Sequence, residues 1–183
     1  MKGHEGFAPN QYTDSEGVLT ICYGVTFKNE KDIFNELNSQ APVKEQVGAI
    51  ATYKLLNERY GKVILDSCLK IGVTKQYQFD ALTSFAYNLG PDEINNPKKL
   101  MRRTLDKGLD NEEEIRNAFM QYVHGQGGAE LPGLKERRKE ECDMFFGKSF
   151  PYRDICIIDS VTGQCSRDKV TENKGNGWLP NKC

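Results

Sequence analysis

Two carboxylates and a hydroxyl near the start of the chain are the side chains best suited to catalysis. Glu5, Asp14 and Thr20 lie in a short segment punctuated by glycines. Cleavage of a glycosidic bond requires an acid that protonates the leaving oxygen and a base that acts on water at the opposite face of the sugar. Two carboxylates, with a hydroxyl to hold the water, suit that chemistry. We therefore take these three residues as candidate catalytic groups.

Asp14 also has a purely structural interpretation. The sequence Asp14-Ser15-Glu16-Gly17 separates Gln11-Tyr12 from the β-prone residues 18–21, and this pattern predicts a hairpin turn on any fold. For Asp14 taken alone, both interpretations stand. The resemblance of all three candidates, the hairpin and later helices to a known family favours the catalytic one.

The segment as a whole resembles the phage-type lysozymes, glycoside hydrolase family 24. Their usual pattern is Glu-Gly, Tyr-x-Asp-x-x-Gly and Thr-Ile-Gly-Tyr-Gly, and this chain has Glu5-Gly6, Tyr12-Thr13-Asp14-Ser15-Glu16-Gly17 and Thr20-Ile21-Cys22-Tyr23-Gly24. Cys22 replaces the first glycine of the last motif. The resemblance implies an α+β, lysozyme-like fold with a small β-hairpin region, a mainly helical lobe and an interlobe cleft.

The resemblance also implies a role for each candidate. Glu5 is the general acid, whose pKa should be raised by partly apolar surroundings so that its proton is present near neutral pH. Asp14 stays ionised and activates or orients the water, which Thr20 helps to hold. In an inverting enzyme the two carboxyl groups stand roughly 6.5–9.5 Å apart. The implied reaction is hydrolysis of the β-1,4 bond between N-acetylmuramic acid and N-acetylglucosamine in peptidoglycan, without a cofactor.

Two later segments extend the resemblance to about residues 4–147. Residues 78–90 (QFDALTSFAYNLG) are similar to the family's central buried helix, and residues 132–138 (PGLKERR) resemble its Gly-Leu-x-x-Arg-Arg segment. By resemblance, the end of the central helix faces the substrate cleft. There the ring of Tyr87 and the amide of Asn88 suit the flat face of a sugar and its acetamido group.

The two arginines of the later segment require a partner. Arg138 falls on an apolar stripe of its predicted helix, where an unpaired guanidinium would be costly to bury. Arg137 or Arg138 either pairs with the Glu5 region and positions it, or forms an ordinary ion pair with Glu140 or Glu141 on the same helix. The sequence leaves both alternatives open.

The body of the chain is predicted to be helical from residue 32 to about residue 147. Apolar residues recur at helical spacing at three places: Val47, Ala51 and Leu55; Phe79, Leu82, Phe85 and Leu89; and Leu134, Cys142 and Phe145. The second of these helices should stop at Gly90-Pro91. Asp110 and Glu113 resemble a capping box at the start of another helix.

Six cysteines form an even set without the Cys-x-x-Cys spacing of a zinc or redox site. In a wall-degrading protein they indicate an oxidising compartment, and disulfides are expected. Cys156 and Cys165 flank Val161-Thr162-Gly163 and are placed to staple a hairpin. For three others we favour ordinary buried thiols: Cys22, Cys68 and Cys142. His4 and His124 have no metal-ligand spacing, so no metal is expected.

Residues 148–183 differ in composition from residues 1–147, which we assign to the catalytic domain. This C-terminal part contains the only tryptophan, Trp178, and few apolar groups. We expect an extension that wraps the helical body, because so short and polar a segment could hardly fold alone. A wall-binding module that stacks Trp178 on a sugar is the alternative.

Composition limits the partners of the protein. A length of 183 residues, 38% hydrophobic residues and a net charge of −1 describe one compact unit with a satellite and lack the basic excess of a nucleic-acid binder. Lys98-Lys99 with Arg102-Arg103 form either a local patch for an anionic wall or, as we favour, a solvated helix face. We expect a monomer.

The location of the protein is a further expectation. The sequence shows neither a membrane span of about 20 apolar residues nor the apolar core of a signal peptide. We expect action outside the cytoplasm, at the periplasmic or target-cell wall, reached without a signal peptide of its own.

Two other functions remain open. A lytic transglycosylase would use Glu5 without needing Asp14 and Thr20, and a non-catalytic wall-binding module on the same fold would tolerate the loss of Glu5. The biological setting is open as well: a phage endolysin, a virion-associated lysin, or an antibacterial toxin or effector with an immunity protein or delivery partner.

Overall fold

The computed structural model describes residues 6–14, 17–125 and 127–148, together with the backbone of residues 157–158 and 165–166. These residues divide into two compact units, with the boundary between Leu55 and Leu56. The elements of the first unit are β1 (Ala8–Thr13), β2 (Leu19–Cys22), β3 (Val25–Thr26), α1 (Lys31–Asn38) and α2 (Glu45–Leu55), and the short strands β4 (Ile157–Ile158) and β5 (Cys165–Ser166) group with them.

The first unit contains a three-stranded antiparallel sheet in the order β1-β2-β3. The antiparallel pairing of β1 with β2 confirms the predicted hairpin. Gly17, before β2, adopts the left-handed conformation, at φ 78°. Strand β2 is the central strand, with α1 and α2 packed against it, and it is buried at Thr20, Ile21 and Cys22. The sheet therefore has a buried central strand, β2, beside an exposed edge strand, β1.

The second unit is helical, as predicted. It contains a π-helical segment (Leu56–Gly61), α3 (Lys62–Lys70), α4 (Gln76–Leu89), α5 (Asp92–Asn95), α6 (Leu100–Leu105), α7 (Glu112–Met120) and α8 (Pro132–Phe145). Its core is apolar and rich in aromatic rings, because α4 packs against α8 and α7 packs against α8. Phe85, Phe119 and Phe145 are fully buried in it.

The predicted end of α4 is confirmed, because the helix ends at Leu89 and Gly90 follows with φ 94°. Leu89 itself is 36% exposed. The predicted capping box at Asp110 is displaced by one position. Asn111 is the N-cap of α7, since its side chain accepts a hydrogen bond from the Glu114 backbone N–H.

Cys22 adopts a left-handed backbone conformation that favours glycine. Its φ is 55°, in the left-handed region that a non-glycine residue enters at a cost of about 1–3 kcal/mol. Its side chain lies against Gly48 of α2, where an added Cβ would be 2.9 Å from both Cys22 Sγ and Phe7 Cε2. The cysteine and the facing glycine are therefore sterically coupled.

The three cysteines in residues 6–148 are free thiols. Cys22, Cys68 and Cys142 are buried without a disulfide, which confirms the prediction for these three. Strands β4 and β5 pair antiparallel across residues 159–164, and Cys165 faces Ile158 in the register. Cys156 lies outside the described residues, so the Cys156–Cys165 staple stays a prediction. Within the described residues, no helix has the length and apolar character needed to cross a membrane.

Candidate active site

Asp14 serves the turn with one carboxylate oxygen. Its Oδ1 accepts a hydrogen bond from the Val18 backbone N–H at 2.9 Å, and its own N–H donates to the Val18 carbonyl at 3.0 Å. The first bond holds the half-buried carboxylate against the hairpin, and the second closes the turn through the backbone. The structural interpretation of Asp14 is thus correct. It does not exclude the catalytic one, because the bond from Val18 uses Oδ1 and not the second carboxylate oxygen, Oδ2.

Thr20 lies beside that second oxygen. Its Oγ1 is 3.5 Å from Asp14 Oδ2 and donates to the Val18 carbonyl at 3.1 Å. Thr20 is only 3% exposed, since it belongs to the central strand. A separation of 3.5 Å makes a weak direct hydrogen bond but allows one water molecule to donate to both oxygens. The structure therefore brings Asp14 and Thr20 together in a geometry suited to orienting water.

Glu5 and the residues before it lie outside the described residues. Its distance to Asp14, its surroundings and its role as the acid stay predictions. Phe7, which follows closely in sequence, packs against the ring of Tyr23 with a centroid distance of 5.2 Å. Tyr23 in turn donates a hydrogen bond to Glu45, and burial together with this bond raises the pKa of the Tyr23 phenol.

The predicted binding residues lie at the end of α4 in the second unit. Tyr87 is half-buried and Asn88 is exposed. The ring of Tyr60, in the π-helical segment, contacts the ring of Tyr87 edge to face with centroids 5.0 Å apart. This contact fixes the orientation of Tyr87. Tyr60 was not predicted, because nothing in the local sequence indicates that a π-helical turn brings it there.

Arg137 and Arg138 converge on one buried carboxylate. Glu141 Oε1 accepts hydrogen bonds from Arg137 Nε at 3.1 Å and from the Ser84 hydroxyl at 2.7 Å. Arg137 also donates to the Ser84 carbonyl at 3.3 Å, so α8 is tied to α4. Glu141 was one of the predicted partners. Ser84 was not, and the alternative in which an arginine positions Glu5 stays a prediction.

Arg138 is fully buried, as its place on the apolar stripe predicted. Its Nη2 forms an ion pair with Glu141 Oε2 at 2.8 Å, and its guanidinium stacks on the ring of Phe85 at 4.9 Å. The geometry of this ion pair does not meet the criteria for a hydrogen bond. Within the described part of the chain, the Arg138 side-chain nitrogens have no hydrogen-bond partner. Burial lowers the pKa of Arg138 to about 10, partly offset by the charge of Glu141.

Two of the four basic residues of α6 and the loop before it lie close to acidic side chains. Lys99 Nζ lies 2.7 Å from Glu93 Oε1, and Arg102 Nε lies 2.8 Å from Asp106 Oδ1. These pairs support the solvated helix face over a patch for an anionic wall. Among the described residues, no group of three or more His, Cys, Asp or Glu side chains is arranged to hold a metal ion.

The chain matches known proteins along most of its length. The family model for phage lysozyme matches residues 2–141. An endolysin of Bacillus phage B103 is 38% identical over 149 residues, which represent 79% of this chain and 50% of that protein. The chain thus spans about half the length of this curated relative.

Solved structures share the fold. An endolysin from Escherichia coli O157:H7 phage FAHEc1 has a TM-score of 0.58 at 24% identity, over 82% of this chain and 90% of that one. The muramidase domain of SpmX from Asticaccaulis excentricus has a TM-score of 0.54 at 25% identity, over 79% and 90%. The active form of the P1 phage endolysin Lyz has a TM-score of 0.56 at 20% identity, over 79% of each chain.

Proposed function

The chain belongs to the phage lysozyme family, and on that premise we propose that it is an N-acetylmuramidase. The substrate is bacterial peptidoglycan, and the bond cleaved is the β-1,4 link from N-acetylmuramic acid to N-acetylglucosamine. The observation that carries this proposal is the pairing of Asp14 Oδ2 with Thr20 Oγ1 at 3.5 Å. Because Val18 holds the Asp14 carboxylate through Oδ1 and the Thr20 hydroxyl through its own carbonyl, the pair is pre-organised for water before substrate arrives.

In the proposed mechanism, water attacks the anomeric carbon while Glu5 gives its proton to the departing oxygen. The water donates hydrogen bonds to Asp14 Oδ2 and Thr20 Oγ1, and its proton passes to Asp14 as the new carbon–oxygen bond forms. When the Thr20 hydroxyl donates to the Val18 carbonyl, its lone pairs can accept from the water. The ionised Asp14 also offsets positive charge that develops on the sugar ring.

Residues of α4 and α8 have binding and supporting roles in this proposal. Tyr87 and Asn88 contact the sugar, and the edge contact from Tyr60 holds the Tyr87 ring in place. Arg137 and Arg138 act as supporting residues, because their pairing with Glu141 holds α8 against α4, the helix that carries Tyr87 and Asn88. The hydrogen bonds from Arg137 to Glu141 and to the Ser84 carbonyl contribute to this packing.

The remaining proposals concern the setting. The protein acts as a bacteriolytic monomer at the cell wall, outside the cytoplasm, and it needs no cofactor. Residues 148–183 form an extension of the catalytic domain. Endolysin is the biological class we favour, since the curated relative is named as one.

Release of soluble fragments from purified peptidoglycan tests the catalytic assignment. Asp14→Asn and Glu5→Gln should each lower the rate by roughly 10²–10⁴-fold, the usual contribution of a general base or acid. Thr20→Val should lower it about tenfold, as expected for one lost hydrogen bond. Thr13→Val is the matched control, because Thr13 is an exposed threonine of the same hairpin that pairs with Leu19 instead.

The outcome depends on which variants lose activity. Normal activity of Thr13→Val, with folded but inactive Asp14→Asn, supports the assignment. Parent-like activity of Asp14→Asn would show that another group serves as the base.

A further inference from the structure

The strand register places an aromatic side chain next to the proposed water-binding pair. Tyr12 of β1 is paired directly with Thr20 of β2. Directly paired residues of antiparallel strands project from the same face of the sheet, with Cβ atoms about 4.5–5.5 Å apart. Asp14, just after the end of β1, also belongs to this face, because its Oδ2 lies 3.5 Å from Thr20 Oγ1. Tyr12, Asp14 and Thr20 thus share one side of the hairpin.

The ring of Tyr12 is accessible there. Tyr12 is 42% exposed, whereas its cross-strand partner Thr20 is 3% exposed. The register of β1 shifts between Ala8 and Tyr12, an irregularity of the kind that re-aims side chains beside active sites. A large aromatic side chain on an exposed edge strand thus stands beside the Asp14–Thr20 pair.

We propose that Tyr12 is a substrate-contacting residue, whose ring packs against the carbon–hydrogen face of an N-acetylhexosamine next to the bond that is cleaved. This inference rests on the proposed function and assigns one more residue to the same site. A tyrosine suits the role because its ring is flat and rigid and its hydroxyl tolerates water, so it covers apolar sugar carbons at little entropic cost. The contact supplies binding and takes no part in proton transfer.

Leu19 provides a matched control on the same hairpin. It is 39% exposed, close to the value for Tyr12, and it pairs with Thr13 in the adjacent register position. Because side chains alternate between faces along a strand, Leu19 projects from the face opposite to Tyr12. Removal of either side chain deletes a similar exposed apolar surface, but only the loss of Tyr12 should affect the sugar.

Steady-state kinetics of Tyr12→Ala, Tyr12→Phe and Leu19→Ala on soluble uncrosslinked glycan strands tests the proposal. Tyr12→Ala should raise KM about three- to tenfold, in line with the loss of one aromatic contact, with kcat within twofold of the parent. Tyr12→Phe should restore the parental KM, and Leu19→Ala should leave it unchanged. Thermal melts should show the same Tm for Tyr12→Ala and Tyr12→Phe, which separates a binding role from a structural one.

Several results would overturn the inference. A parental KM in Tyr12→Ala, an equal rise of KM in Leu19→Ala, or a loss of kcat that follows a loss of Tm would each do so. Cosedimentation with insoluble peptidoglycan separates this inference from the proposed function. If the parent binds the wall without cleaving it, the muramidase proposal fails. The contact between Tyr12 and the sugar is still supported if Tyr12→Ala binds more weakly while Tyr12→Phe and Leu19→Ala bind like the parent.

Discussion

Replacing Glu141 by glutamine should be among the most destabilising single changes in the second unit. The side chains of Arg137, Arg138 and Glu141 are 4%, 0% and 1% exposed, so water cannot solvate the charges when the carboxylate is lost. Glutamine keeps the size of the side chain and can still accept from Ser84, but it removes the negative charge that both guanidiniums contact. The variant therefore isolates the electrostatic part of the cluster.

The expected cost follows from the burial of the pair. Removing one partner of a buried ion pair typically costs about 3–5 kcal/mol, because the other charge stays buried. Total stabilities of about 5–15 kcal/mol make this a large fraction. For a chain of this length each kcal/mol lowers Tm by about 2–4 °C, so the variant should melt about 6–20 °C below the parent.

Thermal and urea unfolding at pH 7, followed by circular dichroism, measures this loss. Glu136→Gln is the control on the same helix, because Glu136 pairs with Lys139 at 3.4 Å and its side chain is 62% exposed. Its Tm should equal that of the parent. A Glu141→Gln variant that melts within 2 °C of the parent, a window of roughly one kcal/mol or less, would refute the view that charge pairing holds α8 on α4.

Two further predictions concern the thiols and the contact between Cys22 and Gly48. Burial raises the pKa of Cys22 and Cys142 to about 11 and that of Cys68 to about 12. Unfolded thiols ionise near pH 9 while the folded ones keep their protons, so stability should fall as pH rises from about 9 to 11. Thermal melts of a triple Cys→Ala variant should show a smaller fall of Tm with pH than the parent shows. An equal fall would count against the thiols as the cause. Gly48→Ala should destabilise the protein by about 1–3 kcal/mol through overpacking against Cys22. Urea titrations should show a smaller destabilisation when Gly48→Ala is combined with Cys22→Gly. An unchanged destabilisation would contradict the steric coupling of the two residues.

Local sequence patterns predicted the hairpin and the helical body because their causes lie within a few residues. Turn residues around Asp14 bond to their own neighbours, and the apolar spacing around Phe85 follows the helix period. Arg138 was correctly predicted to be buried and to need a partner, since Glu141 is one turn away on the same helix.

Contacts between distant parts of the chain could not be predicted in this way. Ser84 bonds to Glu141 across 57 positions, and no feature near Ser84 signals it. The left-handed backbone of Cys22 was hidden as well, because its residue type argues against that conformation. Tyr12 belonged to the predicted motif, yet its place beside Thr20 depends on a strand register that the sequence alone does not define.

The chemical structure of the products tests the central claim most directly. Purified peptidoglycan is digested with this chain, the fragments are reduced with borohydride, and their ends are identified by mass spectrometry. A muramidase that uses Glu5, Asp14 and Thr20 must yield muropeptides that end in reduced N-acetylmuramic acid. Fragments ending in anhydro-N-acetylmuramic acid, which borohydride leaves unchanged, would show that water is not the attacking group and would contradict the assignment of Asp14 and Thr20.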